Sequence, residues 1–293
     1  MELCLGTVQF GMDYGIQGRG KPKKEEVFQI LEQAHKLSIP YLDTANGYGE
    51  AETLIGEYLG QKGNPFHIIT KLPYTSYQEI PSSEYKNVTK EVMKESLFKL
   101  QIDKLYGVLL HNPEYLYKDA ALDALRELKA CGITDKIGVS VYEPGDAFYA
   151  LKQKLDIIQI PCNLFDRRFD NFLNCQVGEA QVFVRSVFLQ GLLLMDEAEV
   201  EQKLPHALET IHEFKGLCEK YHYTGREAAL SYVKSKKGIH SIIIGVDNLM
   251  QLNENVNAYQ MSIEPVVLEE IASKFVNVRE DIISPLKWRK SSI

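Results

Sequence analysis

The chain has 293 residues, with 33 Lys plus Arg against 40 Asp plus Glu, a formal charge of −7. Its 45% hydrophobic and 25% charged content excludes a mainly disordered chain, a collagen-like repeat and a disulfide scaffold. The acidic balance argues against nucleic acid or an anionic membrane as the main partner, because both reward a basic face.

Length alone leaves a choice between two average domains and one large α/β domain. The five cysteines (Cys4, Cys131, Cys162, Cys175 and Cys218) are widely spaced and form no Cys-x-x-Cys, so a reducing compartment is expected. Met1-Glu2-Leu3-Cys4 lacks the layout of a signal peptide. No apolar run approaches the roughly 20 residues that span a bilayer. A cytoplasmic protein that takes a small molecule is the expectation.

In chain order, short apolar runs alternate with amphipathic segments. The first strand is predicted at 3–5, and a long loop at 9–21 follows it. That loop contains Gly15, Gly20 and Lys21 at the spacing of a phosphate-cradling loop, but Pro22 stands where a hydroxyl is needed, so it reads as turn-rich. Pro22 is expected in the first turn of a helix carrying Val27, Ile30, Leu31 and Ala34 on one face. A second strand at 41–42 leads to Asp43, and Tyr48 follows between Gly47 and Gly49. The third strand, 66–69, leads to Lys71; the fourth, 105–110, ends at His111. Stripes at Met93, Leu97 and Leu100 and at Leu122, Leu125 and Leu128 predict the flanking helices, and Cys131-Gly132 reads as a stop.

The fifth strand, 136–139, runs into Ser140, where Gly138-Val139-Ser140-Val141-Tyr142 begins like a nucleophile elbow but lacks its closing glycine. Strands at 157–160, 182–184 and 241–244 complete eight, with helical material at 206–235 before the last. His206, His212 and His222 have no zinc-binding spacing, and no metal is expected. From about 278 the tail reads as irregular and holds the single tryptophan, in Lys287-Trp288-Arg289-Lys290. Eight βα units without a composition break predict one (β/α)8 TIM barrel domain over 1–293, with its working residues at the C-terminal strand ends.

Asp43, Tyr48, Lys71 and His111 all fall on that rim. Each alone has a bland reading as a cap, a loop aromatic or a solvated charge; together they make a coherent acid. A lysine ammonium beside a phenol favours the phenolate and is expected to lower the tyrosine pKa. A carboxylate keeps that lysine charged, and a histidine can orient a carbonyl oxygen. Such a set moves a proton but holds no electrons, so a hydride must come from a cofactor.

Leu5-Gly6-Thr7, Leu42-Asp43-Thr44-Ala45-Asn46-Gly47-Tyr48-Gly49, Ile69-Thr70-Lys71-Leu72-Pro73, Leu109-Leu110-His111-Asn112-Pro113 and Ile137-Gly138-Val139-Ser140 resemble, in order and spacing, the motifs of the aldo-keto reductases. The resemblance spans almost the whole chain. It implies a (β/α)8 barrel, NAD(P)H-linked reduction of an aldehyde, ketone or sugar-like carbonyl without a metal, and a tetrad of Asp43, Tyr48, Lys71 and His111 with Tyr48 as general acid.

The resemblance also implies a cofactor site made of Gly6, Thr7, Asp43, Ser140, Gln159, Arg185, Ser186, Phe188, Gly191, Gly245, Val246, Asp247, Gln251 and Asn255. Ser140 and Gln159 would hold the carboxamide, though Val141 replaces the usual asparagine. Arg185 stands where many members stack an aromatic ring on the nicotinamide; stacking or a salt bridge are its two readings. Gly245 and Gln251 occupy positions where NADP-specific members place a lysine and an arginine, and Asp247 adds a negative charge. The family's lean keeps NADP(H) slightly ahead, with NAD(H) open. The chain as given opens at the first strand, so no two-stranded lid is expected. Tyr14, Tyr74 and Phe165 are expected to shape the substrate pocket. A Schiff-base lyase using Lys71, or a cofactor-binding regulatory protein of the same fold, are the competing readings.

Overall fold

A computed structural model describes residues 1–175 and 177–288. Eight strands, β1 (Glu2–Gly6), β2 (Tyr41–Asp43), β3 (His67–Lys71), β4 (Leu105–Leu110), β5 (Thr134–Ser140), β6 (Ile157–Pro161), β7 (Gln181–Arg185) and β8 (Ile239–Gly245), close a parallel barrel in sequence order. Closure is made by β1 lying between β2 and β8, with Cys4 opposite both Tyr41 and Ile243.

These segments form strands because they are short, rich in Ile and Val, and buried on both faces. Alternate residues divide between two cores. Cys4, Tyr41, Ile69, Leu109, Ile157, Phe183 and Ile243 pack together inside the barrel. Their neighbours, among them Leu5, Leu42, Ile68, Val108 and Ile158, join the larger layer under the helices. Burying both faces excludes water from the ladder, so only the strand ends are left to carry chemistry.

The helices follow their apolar stripes. Lys24–Lys36 buries Val27, Ile30, Leu31 and Ala34, and Asp119–Ala130 buries Leu122, Leu125 and Leu128 before Cys131 and a left-handed Gly132 end it. Pro22 lies two residues ahead of its helix rather than in the first turn, because extended Lys23 is the cap. The first loop opens with a single helical turn, Val8–Gly11. The tail also departs from its irregular reading: Glu280–Ile283 and Pro285–Trp288 are helical turns, closed by the Trp288 indole N–H on the carbonyls of Asp281 and Ile282 at 3.0 and 3.1 Å. Arg289 and Lys290 lie outside the described residues. Among the described residues no helix is long and apolar enough to cross a membrane.

The strands end at one rim on Gly6, Asp43, Lys71, Leu110, Ser140, Pro161, Arg185 and Gly245. Asp43 and Lys71 are thus the last residues of their strands rather than loop residues, so the sheet itself positions them.

Candidate active site

Lys71 is fully buried at the end of β3, and its ammonium lies 2.7 and 2.8 Å from the two carboxylate oxygens of Asp43. It also donates to the Thr44 carbonyl at 3.0 Å and reaches the Tyr48 hydroxyl at 3.4 Å. Gln159, from β6, donates to the same Asp43 at 2.8 Å. The Tyr48 ring meets His111 edge-on, with centroids 5.8 Å apart. The structure therefore brings together all four candidates on one rim: Asp43 from the end of β2, Tyr48 from the loop after it, Lys71 from the end of β3 and His111 just past β4.

Tyr48 is held by a close approach of two backbones. A Cβ on Gly11 would lie 1.7 Å from the Tyr48 carbonyl oxygen, and Gly49 takes a left-handed φ of 56°. Glycine at both positions lets the first helical turn lie directly on the tyrosine's own loop.

Burial dominates the protonation states. It pushes the Tyr48 phenol above its ordinary range, and this outweighs the opposing pull of Lys71. The expected lowering of the tyrosine pKa is therefore corrected: Lys71 does pull it down, but desolvation and the Asp43 charge raise it by more. Burial pulls Lys71 down, but the Asp43 and Tyr48 oxygens outweigh it and hold the ammonium above its usual value. A charged lysine is a poor nucleophile, which weakens the Schiff-base reading. Burial, Lys71 and Arg185 together press His111 down to about 3, so its ring is neutral.

From this rim a cavity of about 370 Å³ runs between the ends of β1, β6, β7 and β8. Its inner end is lined by Asp43, Tyr48, Gln159 and Arg185, and its outer end by Arg226, Asp247, Gln251, Glu254 and Asn255. Gly6, Thr7, Ser186, Phe188, Gly191 and Gly245 line the way between. Of the expected cofactor contacts, two stand apart. Val246 is fully buried in the core, so its side chain cannot reach the groove. Ser140 is buried behind Arg185, accepting from its Nε at 3.3 Å. Arg185 itself makes no salt bridge among the described residues; it lies 4.4 Å over the Tyr142 ring and donates to the Val141 carbonyl at 3.0 Å.

The groove is roofed by two loops. The Ile16 amide donates to the Gln190 carbonyl at 3.1 Å, and the Gln190 amide donates to the Tyr14 hydroxyl at 3.1 Å. Ser186, Leu189 and Gln190 all have positive φ, a local concentration of strain of the kind that gathers at ligand clamps. Tyr74 stands 6.0 Å from the His111 ring. Phe165, expected at the pocket, is instead buried against Phe214 and Phe275, because the loop after β6 folds inward on them.

A dinucleotide fits the residues present. The groove is long and two-ended, and the Gln9 Oε1 on its wall is buried without a partner among the described residues. A Cβ on Gly245 would strike that same Gln9 side chain at 2.6 Å, so the glycine keeps the wall open for it. Gln9, Arg19 and Arg226 were not legible as lining residues; Arg226 sits in the first turn of Gly225–Lys234 and meets Glu254 and Asn255 only through the fold. Among the described residues no group of three or more His, Cys, Asp or Glu could hold a metal ion.

A parallel barrel whose strand ends gather a buried lysine–carboxylate pair touching a tyrosine, beside a groove of about 370 Å³, has the parts of an oxidoreductase that moves a proton next to a bound cofactor. The family model described as the Aldo/keto reductase family matches residues 2–275, and the chain belongs to that family. It is 26% identical to the uncharacterized oxidoreductase YqkF of Bacillus subtilis, over 96% of this chain and 94% of that one. It is 24% identical to an NADH-specific methylglyoxal reductase of Escherichia coli, over 89% and 90%. Among solved structures it resembles the holo form of aldo-keto reductase AKR11C1 from Bacillus halodurans, with a TM-score of 0.77 at 23% identity, covering 97% and 95%. The chain is an NAD(P)-dependent reductase, in agreement with the family and fold expected from its motifs.

Proposed function

We propose that the enzyme reduces an aldehyde, ketone or sugar-like carbonyl to the alcohol, with Tyr48 as the proton donor. The observation that carries this reading is the buried Lys71 ammonium touching both Asp43 oxygens and the Tyr48 hydroxyl at the inner end of the groove. A bound nicotinamide supplies the hydride, which side chains cannot. Tyr48, kept protonated by burial, gives its proton to the carbonyl oxygen as charge develops there. Lys71 stabilises the phenolate left behind, and Asp43 keeps Lys71 charged and in place. His111, neutral, hydrogen-bonds the carbonyl oxygen and fixes its direction. The test is calorimetric titration with NADH and NADPH, followed by a carbonyl panel with the preferred cofactor; binding of neither cofactor sinks the proposal.

His111 at about 3 is uncharged at every working pH, and Tyr48 stays protonated beyond its usual value of 10.0. The rate of reduction, as kcat/KM, is thus expected to show no histidine step between about pH 5 and 8. Rising pH removes no proton from His111 in that window, so neither sign of change is expected from it. A step in that window that disappears in His111→Asn would contradict the assignment.

Against the family's slight lean to NADP(H), the charges at the outer end of the groove favour NADH over NADPH. The Asp247 amide donates to the Gln251 side-chain oxygen at 2.8 Å, and Gln251 donates back to the Asp247 carboxylate at 3.1 Å. That closed pair presents a carboxylate, suited to ribose hydroxyls and repellent to a 2′-phosphate. Arg226 offers little compensation, since Glu254 already holds it at 2.7 Å. The Escherichia coli relative, named as NADH-specific, points the same way. NADH is expected to bind more tightly than NADPH, and Asp247→Ser to narrow the gap by about tenfold, on the order of one screened charge pair. Equal affinities in the wild type would refute this preference.

A further inference from the structure

Among the described residues Arg185 is a half-buried cation without a carboxylate partner. It ends β7 and lines the inner end of the groove with Tyr48, Asp43 and Gln159. Its bonds go to neutral acceptors only: the Val141 carbonyl at 3.0 Å, Ser140 Oγ at 3.3 Å and Ser186 Oγ at 3.4 Å. The guanidinium lies over the Tyr142 ring at 4.4 Å, which fixes its position without cancelling its charge.

The other groups at this end make the excess plain. Asp43 carries one negative charge, and Lys71, 2.7 Å away, balances it. Tyr48 and His111 are both uncharged at neutral pH. Arg185 therefore leaves the reacting end with one net positive charge. Its charge is felt at the His111 ring, where it adds to burial and Lys71 in lowering the pKa.

We infer that Arg185 makes the site selective for the redox state of its cofactor, favouring the uncharged ring of NADH or NADPH over the cationic ring of NAD⁺ or NADP⁺. The inference rests on the proposed reading in which the nicotinamide lies at the Tyr48 end of the groove. A fixed cation there repels the oxidised ring and leaves the reduced ring untouched, whichever face it meets. It thus holds the bound cofactor towards the reduced state, which opposes hydride transfer on the enzyme but hastens release of the oxidised product and weakens inhibition by it.

The experiment measures dissociation constants of the reduced and oxidised forms of the preferred cofactor by calorimetry. It uses wild type, Arg185→Met and Arg185→Lys, with thermal melting to confirm that each folds. In wild type the reduced form is expected to bind more tightly. In Arg185→Met the ratio should fall on the order of tenfold, mainly because the oxidised form binds better. Arg185→Lys should keep most of the wild-type ratio, since it keeps the charge. A ratio unchanged in Arg185→Met overturns the inference. So does an equal loss for both forms, which would make Arg185 only a clamp between the loops after β5 and β7. An unchanged ratio with an Arg185-dependent preference for 4-carboxybenzaldehyde over its methyl ester would assign the guanidinium to substrate instead, and also overturns it. Binding of neither form by wild type would bring down the functional reading itself, a different result from binding with a ratio indifferent to Arg185. If Arg185→Met does not fold, Arg185→Gln replaces it, with the same expected fall in ratio.

Discussion

Tyr48→Phe is expected to cut turnover by about 10²–10⁴-fold while leaving cofactor affinity nearly unchanged. The change removes one oxygen and keeps the ring that packs edge-on against His111 at 5.8 Å. What disappears is the proton that Tyr48 holds between the Lys71 ammonium and the open cavity. Because Tyr48 is already protonated in the resting enzyme, the loss should be nearly independent of pH through the neutral range. Single-turnover oxidation of bound NADH, mixed with a substrate found on the panel, separates the chemical step from product release. A variant that turns over at the wild-type rate would remove Tyr48 from the mechanism.

Lys71→Met is the second large effect, and it falls on stability as well as rate. The Lys71 side chain is 1% exposed and that of Asp43 7%, so deleting the ammonium leaves a buried carboxylate with only Gln159 as a donor. Breaking a buried pair from one side costs about 3–5 kcal/mol. Part of that cost is relieved if Asp43 takes up a proton. Asp43→Asn combined with Lys71→Met should therefore recover part of the lost stability and none of the activity. Denaturant melts of the two single variants and the double variant measure the coupling directly. Additive losses would mean that the pair does not act as a unit.

The barrel was legible because its strands repeat one pattern, a short apolar run ending at a polar residue. Asp43, Lys71 and Ser140 proved to be the last residues of β2, β3 and β5, where the alternation stops. The single turn at Val8–Gly11 was missed because four residues are too few to show a helical period. Phe165 reads as a pocket residue by position, and only the inward fold of its loop onto Phe214 and Phe275 removes it from the rim. The Tyr48 protonation state depends on a competition between burial and charge, and sequence shows the charge without the burial. Sequence leaves Arg185 between stacking on the nicotinamide and a salt bridge; among the described residues it makes no salt bridge and lies over Tyr142, 43 positions earlier and just past the end of a different strand. Gln9 and Arg226 gave no local signal, since each is defined by a wall built from distant segments.

In the proposed reaction the set at the rim moves a proton and a bound nicotinamide would supply the hydride. It is tested most directly by mixing the enzyme with a stoichiometric amount of its preferred reduced cofactor and a carbonyl panel, and following the nicotinamide absorbance. Oxidation of the bound cofactor by at least one small aldehyde or ketone is expected, slowed by about 10²–10⁴-fold in Tyr48→Phe. Tight cofactor binding with no oxidation across the panel, or equal oxidation by Tyr48→Phe, would contradict it.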